Sequence, residues 1–376
     1  MTKPEPLRPV WAEIDLGNFK KNLQVVQGLI PASTQIIAVV KANAYGIGAV
    51  PASRAALEVP GVMGLAVATP EEAIELRSES IDCGILVLGP VTPGGARALA
   101  DLSVSMAVTS TMGIQSAEEA GKSIGRKTKI NIKVETGMGR TGFMPGPELQ
   151  KALDLLQQCN YVEVEGIFTH FSAADVNKEY TMNQWSNFNT AVEQASQAHI
   201  RPRYLHAANS AAILDFPESH LDLVRPGIMI YGSYPDQSLA GKAPLYPVFS
   251  LKARVSYVKH VGPGSYIGYG MTYRTGSGTT IATVPIGYAD GYPRLLSNRG
   301  SVLIKGRRYP IAGRICMDQL MIDLGGTTDV EPGELVTLIG QDGTECITVD
   351  EVAELAQTIA HEILTGIAPR VPRIYM

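Results

Sequence analysis

The sequence predicts an α/β protein, an N-terminal (β/α)8 barrel of the TIM type followed by a C-terminal, mostly β domain. Three observations carry that expectation. Eight short β-rich apolar runs recur through the first two thirds of the chain, and most are separated by segments of helical spacing. After Tyr234-Pro235-Asp236-Gln237-Ser238, a turn-rich stretch, alternating apolar runs punctuated by glycine turns take over. The length of 376 residues is too great for one ordinary core, and 45% hydrophobic residues supply apolar surface for two.

The eight runs fall at 36–40, 64–68, 85–88, 104–108, 130–135, 165–169, 204–208 and 223–229. Helical spacing between them is clearest at 70–76 and 148–157. Strands alternating with helices imply parallel pairing through right-handed crossovers, and eight such units close a barrel. A doubly wound sheet is the competing architecture. It favours a glycine fingerprint after the first strand, which Lys41-Ala42-Asn43-Ala44-Tyr45-Gly46-Ile47-Gly48 does not provide. The barrel is expected over 12–238 and the β domain over 239–376, joined by residues 1–11. Within the second domain, strand-like runs lie at 249–255, 301–304 and 334–339, Asp350 reads as the N-cap of a helix, and 371–375 is extended.

Composition excludes several classes of function. A formal net charge of −4, with no dense Lys/Arg stretch, offers no field for phosphate backbones, so nucleic acid is not an expected partner. No run of about 18 apolar residues is available to span a bilayer, and the first residues carry no apolar signal core. A cytoplasmic protein is therefore expected. Cys83, Cys159, Cys316 and Cys346 lie far apart without metal-ligand spacing, which implies free thiols and no metal.

The chemistry gathers at the expected strand ends. Lys41 closes the first run, where a barrel keeps its reactive groups; desolvation there lowers the pKa of a lysine and frees an amine able to hold an aldehyde cofactor such as pyridoxal phosphate. The alternative is a charge that closes a strand. Tyr45 follows it, Arg140 follows the fifth run, and His170 closes the sixth. His206, Asn209 and Ser210 close the seventh, and Arg225-Pro226-Gly227 lies within the eighth. Loops after strands seven and eight of a barrel commonly cradle phosphate, and Ser210 with Gly227 and Ile228 suits that role. Each has a plainer reading: Ser210 as an N-cap, Gly227 as a turn, His206 as a core imidazole.

Val40-Lys41-Ala42-Asn43-Ala44-Tyr45-Gly46, Gly139-Arg140-Thr141-Gly142, Thr169-His170-Phe171, Asn209-Ser210, Arg225-Pro226-Gly227, Gly268-Tyr269-Gly270, Ile286-Gly287-Tyr288-Ala289-Asp290-Gly291 and Gly313-Arg314-Ile315-Cys316-Met317-Asp318 resemble the alanine racemases in order and spacing. The resemblance spans both domains. It implies a homodimer with shared active sites that interconverts L- and D-alanine, a small-molecule substrate, and supplies D-alanine for peptidoglycan. It implies that Lys41 holds pyridoxal phosphate, that Tyr45, Ser210 and the amides of Gly227 and Ile228 hold its phosphate, and that Arg225 faces the pyridine nitrogen. His170, His206, Asn209 and His361 complete the cofactor's surroundings by the same resemblance.

Racemisation removes a proton on one face and returns one on the other, most simply with two groups. The resemblance makes these Lys41 and Tyr269 of the partner subunit. It assigns the substrate carboxylate to Arg140 and the backbone near Met317, and the substrate corridor to Tyr288, Arg294, Arg314, Asp175 and Ile359. Lys133 matches a lysine that the family often carbamylates; its plainer reading is a salt-bridged surface lysine. His361 departs from the family, which usually has a tyrosine there. That departure keeps a serine or broad small-amino-acid racemase as the enzyme alternative. A non-catalytic pyridoxal-phosphate carrier is the alternative of another class, and decarboxylases of similar architecture favour an acidic group where this chain has Arg225.

Overall fold

The structure, a computed structural model, describes residues 7–376. Of the segment expected to join the second domain, residues 1–6 lie outside the described residues. β1 (Val10–Ile14) precedes eight strands: β2 (Gln35–Val39), β3 (Val62–Val67), β4 (Gly84–Val87), β5 (Ser105–Val108), β6 (Thr128–Lys133), β7 (Val162–Phe168), β8 (Tyr204–His206) and β9 (Leu223–Val224). These eight close a barrel of parallel neighbours, with β9 returning to β2 through Gln35 opposite Leu223 and Ile36 opposite Val224. Helices on the outside cover one face and interior side chains fill the other, so a strand such as β5 is buried along its whole length.

Side-chain caps start the helices where the strand ends need them. Thr69 accepts from the Glu72 amide in a capping box that opens helix Pro70–Ser78, and Asn209 accepts from Ala212 to open helix Ser210–Asp215. The eighth expected run is cut short. β9 ends at Val224, so Arg225 follows the strand rather than lying within it; Pro226 has no N–H for a ladder, and Ile228–Tyr231 turns into a 3-10 helix. Helix Val349–Leu355 is capped by Thr348, two residues before the expected Asp350, because the Thr348 hydroxyl accepts from the Glu351 amide at 3.0 Å.

The remaining strands form the C-terminal domain: β10 (Phe249–Arg254), β11 (Tyr257–Val261), β12 (Tyr266–Ile267), β13 (Tyr273–Arg274), β14 (Thr279–Val284), β15 (Ser301–Ile304), β16 (Arg307–Pro310), β17 (Leu320–Asp323), β18 (Leu335–Asp342), β19 (Glu345–Ile347) and β20 (Arg373–Tyr375). One sheet runs β16-β15-β18-β10-β1-β20 with β19 on β18; β11-β14-β17 form a second and β12-β13 a hairpin. β1 thus belongs to this sheet through Ile14, antiparallel to β10 and parallel to β20, and the expected change of domain at residue 12 falls inside that strand.

A continuous apolar core passes from the barrel into this sheet. Polar ties place the sheet against the barrel mouth: Tyr375 donates to the Ile47 carbonyl at 3.0 Å, and the Arg373 Nε–H to the Gly46 carbonyl at 3.0 Å. The four cysteines are free thiols. Among the described residues no helix is long and apolar enough to cross a membrane.

Candidate active site

A cleft of about 750 Å³ opens at the C-terminal ends of the barrel strands, lined by Lys41, Tyr45, Lys133, Arg140, His170, Asn209, Ser210, Arg225, Gly227, Ile228 and, from the second domain, Ile359 and His361. Asp175 lines it too. The barrel thus brings together residues nearly 190 positions apart in the chain because each sits at or just past a strand tip.

Lys41 begins an unusual turn. Ala42, Asn43, Ala44 and Tyr45 all hold φ between +50° and +54°, a left-handed turn built without glycine until Gly46. Each such residue costs about 1–2 kcal/mol, so the surroundings must hold the turn. Glu72 does so from below, accepting from the amides of Ala42 at 2.5 Å and Ala68 at 2.7 Å. Asn43 accepts from Ala49 at 2.7 Å, and the Tyr45 ring stacks on Tyr231 at 4.4 Å. Gly46 closes the turn at φ +85°, where a Cβ would lie 2.4 Å from the Leu364 carbonyl. Burial lowers the Lys41 pKa, Arg140 adds to this, and Glu72 opposes it. The result is an amine released more readily than an ordinary lysine's.

Opposite Lys41, the segment after β9 forms an anion cradle. The Ser210 hydroxyl accepts from the Gly227 amide at 2.9 Å and the Met229 amide at 3.4 Å. Gly227's N–H is therefore turned toward Ser210, whereas the N–H of buried Ile228 has no acceptor among the described residues. A Cβ at Gly227 would come within 2.6 Å of the Tyr45 hydroxyl. A phosphate fits this place: an orphaned amide, a hydroxyl, a phenol and a helix opening at Ser210 converge on space that a side chain would fill. The residues present fit pyridoxal phosphate.

Arg225 forms the cleft floor and is buried. Its guanidinium donates to the carbonyls of Thr169 at 2.7 Å and Ala207 at 3.1 Å and to the His206 Nδ1 at 2.7 Å. Burial alone draws its pKa down to about 9, which still leaves a cation at neutral pH. His206 is held well below the usual imidazole range by burial and then by Arg225 and Lys133, and His170 likewise by burial and then by Arg225, Arg140, Lys133 and Lys41. Both are neutral rings. Burial also lowers His361, with Lys41 adding to it; its ring centre lies 5.5 Å from that of Tyr45.

Lys133 is not a surface lysine. It is buried, donates to the Val134 carbonyl at 2.7 Å, and is drawn down to about 7 by burial, with Glu135 opposing and Arg225 and Arg140 assisting. Glu135, invisible to motif reasoning, organises the Arg140 loop by accepting from the amides of Gly137 at 2.7 Å, Met138 at 2.6 Å and Arg140 at 3.0 Å. Burial works to raise its pKa, but those donors, with Gly139, outweigh it and keep the carboxylate below its ordinary value.

Tyr269, Tyr288 and Met317 do not line this cleft, nor do Arg294 and Arg314. They cluster on the second domain instead. Tyr269 is 70% exposed, Met317 53% and Tyr288 40%. Gly270 lets the Arg314 guanidinium lie against the Tyr269 turn, where a Cβ would meet Nη1 at 2.8 Å. The amides of Tyr288 and Ala289 donate to the carbonyls of Cys316 and Met317 at 3.1 and 3.0 Å. Buried Asp290 pins the same segment, accepting from Gly287 at 3.0 Å and the Arg370 Nε–H at 2.7 Å, and pairing with Arg8.

A family model described as alanine racemase, N-terminal domain, matches residues 14–235, and one described as alanine racemase, C-terminal domain, matches residues 248–375. The chain is similar to the alanine racemase of Halothermothrix orenii, 43% identical over 379 residues that cover 98% of this chain and 97% of that one. To the alanine racemase of Carboxydothermus hydrogenoformans it is 44% identical over 372 residues, covering 98% and 100%. Among solved structures it superposes on alanine racemase from Bacillus anthracis with bound L-Ala-P at a TM-score of 0.93 and 39% identity, covering 100% and 96%, and on that from Clostridium difficile 630 at 0.94 and 39%, covering 98% and 96%.

Proposed function

Because this chain belongs to the alanine racemase family and is an amino-acid racemase, we propose that it interconverts L- and D-alanine with pyridoxal phosphate held at Lys41. The observation that carries this reading is the strained left-handed turn that presents the Lys41 amine into a cleft with an anion cradle on one wall and Arg225 on its floor. Tyr45, Ser210 and the Ile228 amide would hold the phosphate, and Arg225 would donate to the pyridine nitrogen. When bound, the cofactor supplies an electron sink that acidifies the substrate's Cα–H.

The chain's own groups do the rest. Lys41, its ammonium disfavoured by burial, takes or returns a proton at Nζ on one face. Arg140, its loop ordered by Glu135, binds the carboxylate and so orients the Cα–H bond. Arg225, a cation at neutral pH held by the Thr169 and Ala207 carbonyls and His206, would offer the ring nitrogen a hydrogen bond. Tyr269 of the partner subunit acts on the opposite face. The exposed cluster of Tyr269, Tyr288 and Met317, away from the cleft of its own chain, supports a homodimer in which each site is completed by the other copy. The neutral amine of Lys133 is the form that takes up CO2, and its carbamate would be an anion for Arg140.

We place the enzyme in the cytoplasm, supplying D-alanine for peptidoglycan. His361 in the cleft wall favours one second reading, a racemase that also accepts serine. Chiral analysis of L-alanine incubated with cofactor-loaded protein tests the main reading: racemic alanine is expected, and Lys41→Ala should abolish it together with borohydride fixation of the cofactor. Normal turnover by that variant would sink the assignment. Comparing kcat/KM for alanine and serine separates the two substrates.

A further inference from the structure

A line of buried polar side chains leads from Arg225 through the barrel interior to its opposite end. Arg225 Nη1 meets His206 Nδ1 at 2.7 Å, and His206 Nε2 meets Asn131 Oδ1 at 2.9 Å. Asn131 Nδ2 meets Ser105 Oγ at 2.8 Å and Glu165 Oε2 at 3.5 Å. Ser105 in turn donates to the Lys129 carbonyl at 3.4 Å, and Glu165 pairs with Lys129 at 3.3 Å beside a cavity of about 60 Å³. His206, Asn131 and Arg225 are buried, while the Glu165 side chain is 20% exposed.

The two ends of this line determine its polarity. A guanidinium only donates, so His206 Nδ1 must be bare and Nε2 must carry the hydrogen. A carboxylate only accepts, so the amide nitrogen of Asn131 faces Glu165 and its oxygen faces His206. Both ends demand the same arrangement. The backbone makes room for it: Asn131 sits where the β6–β7 register shifts, and its partner on β7 is Gly166, where a Cβ would fall 2.0 Å from Asn131 Oδ1 and 3.1 Å from His206 Nε2. Gly166 does not have a left-handed backbone, so its lack of a side chain reserves space rather than conformation. His206 also stacks flat on Phe168 at 5.0 Å, which limits its tilt.

We infer that Asn131 and Glu165 are positioning residues: they hold His206 as the Nε2–H tautomer, so that its bare Nδ1 anchors Arg225 and aims the remaining guanidinium hydrogens into the cleft. The inference rests on the reading that Arg225 meets the cofactor ring. A ring nitrogen lacks a hydrogen to give, so the donor beneath it must keep its orientation without swinging away; the Thr169 and Ala207 carbonyls hold Nη2, and His206 supplies the fixed acceptor for Nη1.

Imidazole 15N NMR of cofactor-loaded protein tests this, with His206 assigned by comparison with His206→Gln. The parent should show one histidine with protonated Nε2 and bare, hydrogen-bonded Nδ1. Asn131→Leu should lose that single form, and Glu165→Gln should convert it to a mixture, because a glutamine amide donates as well as accepts and frees Asn131 to turn over. Glu165 lies at the partly exposed barrel end, so this variant retains the fold if the core substitution does not. In both, kcat should fall about tenfold with KM changed less than about twofold, the range typical of lost outer hydrogen bonds. An Nδ1–H tautomer in the parent, or His206 signals unchanged in Glu165→Gln, overturns the inference, and so does a tautomer change that leaves kcat at the parent value. Cofactor uptake by the parent, followed by its visible absorption, is scored separately: no uptake defeats the cofactor reading, while the tautomer signals still decide the polarity of the line.

Discussion

His361 and Lys133 show how far single residues depend on their surroundings. The His361 imidazole lies in the cleft wall 5.5 Å from Tyr45, where a phenol would occupy more of the space beside the phosphate cradle. His361→Tyr should therefore raise the alanine-to-serine ratio of kcat/KM, by an amount within the roughly 1–3 kcal/mol that one small pocket change commands. A ratio unchanged between pH 6 and 9 would remove His361 from the control of selectivity. Lys133 makes a pH prediction. Its folded pKa of about 7 lies below the 10.5 of an ordinary lysine, so between those values the unfolded chain binds more protons and stability must rise with pH. Below about pH 7 both states are protonated and the penalty of the buried cation is fully present; above about 10.5 it is gone. In CO2-free buffer, the melting temperature of the parent relative to Lys133→Met should climb from pH 7 to 10. A flat difference would mean that the ammonium is not penalised in the fold.

Among the elements, the turn over 42–45 carries the most strain and has identifiable supports. Glu72 caps its own helix while receiving the Ala42 amide, so one carboxylate joins the ends of β2 and β3 beneath Lys41. Glu72→Ala should cost about 1.5–3 kcal/mol, since its charged hydrogen bonds to the Ala42 and Ala68 amides are lost. It should also weaken cofactor retention without touching the cofactor. Denaturant unfolding and dialysis of loaded protein measure the two effects. Stability loss without faster cofactor release would show that the turn keeps its shape unaided. The short β9 makes a related point: proline at 226 ends the strand, and that early end releases the Ile228 amide toward the cradle.

At the scale of the whole molecule, two groups of proposed site residues lie on different parts of one chain, Lys41 with Arg225 in the barrel mouth and Tyr269 with Met317 on the second domain. Association of two copies would let each group complete the other's site. Mixing inactive Lys41→Ala and Tyr269→Phe proteins should then restore activity, because a heterodimer assembles one intact centre of two. Subunit exchange confirmed by mass spectrometry, with no return of racemisation, would show that Tyr269 does not act across the dimer.

The barrel was legible in the sequence because its strands are short apolar runs that recur eight times, and some polar tip residues follow their runs directly, as Lys41 and His170 do. The change of periodicity after 238 marked the second domain for the same reason, since strand and helix patterns are local. What sequence could not supply was any feature made by residues distant along the chain. The left-handed φ of Ala42 to Tyr45 runs against the preference of Ala42, Ala44 and Tyr45 and is held by Glu72 and Tyr231. The burial that brings Lys133 to about pH 7 is a property of β6 within the closed barrel. The sequence reading divides the chain at residue 12, inside β1, yet the whole strand pairs with β10 and β20, because sheet partners are chosen by edges that only the folded chain brings together. Residue types and local periods are written in the sequence, whereas strain, desolvation and the direction of a hydrogen-bonded line arise only when the tertiary structure excludes water and leaves each group one partner.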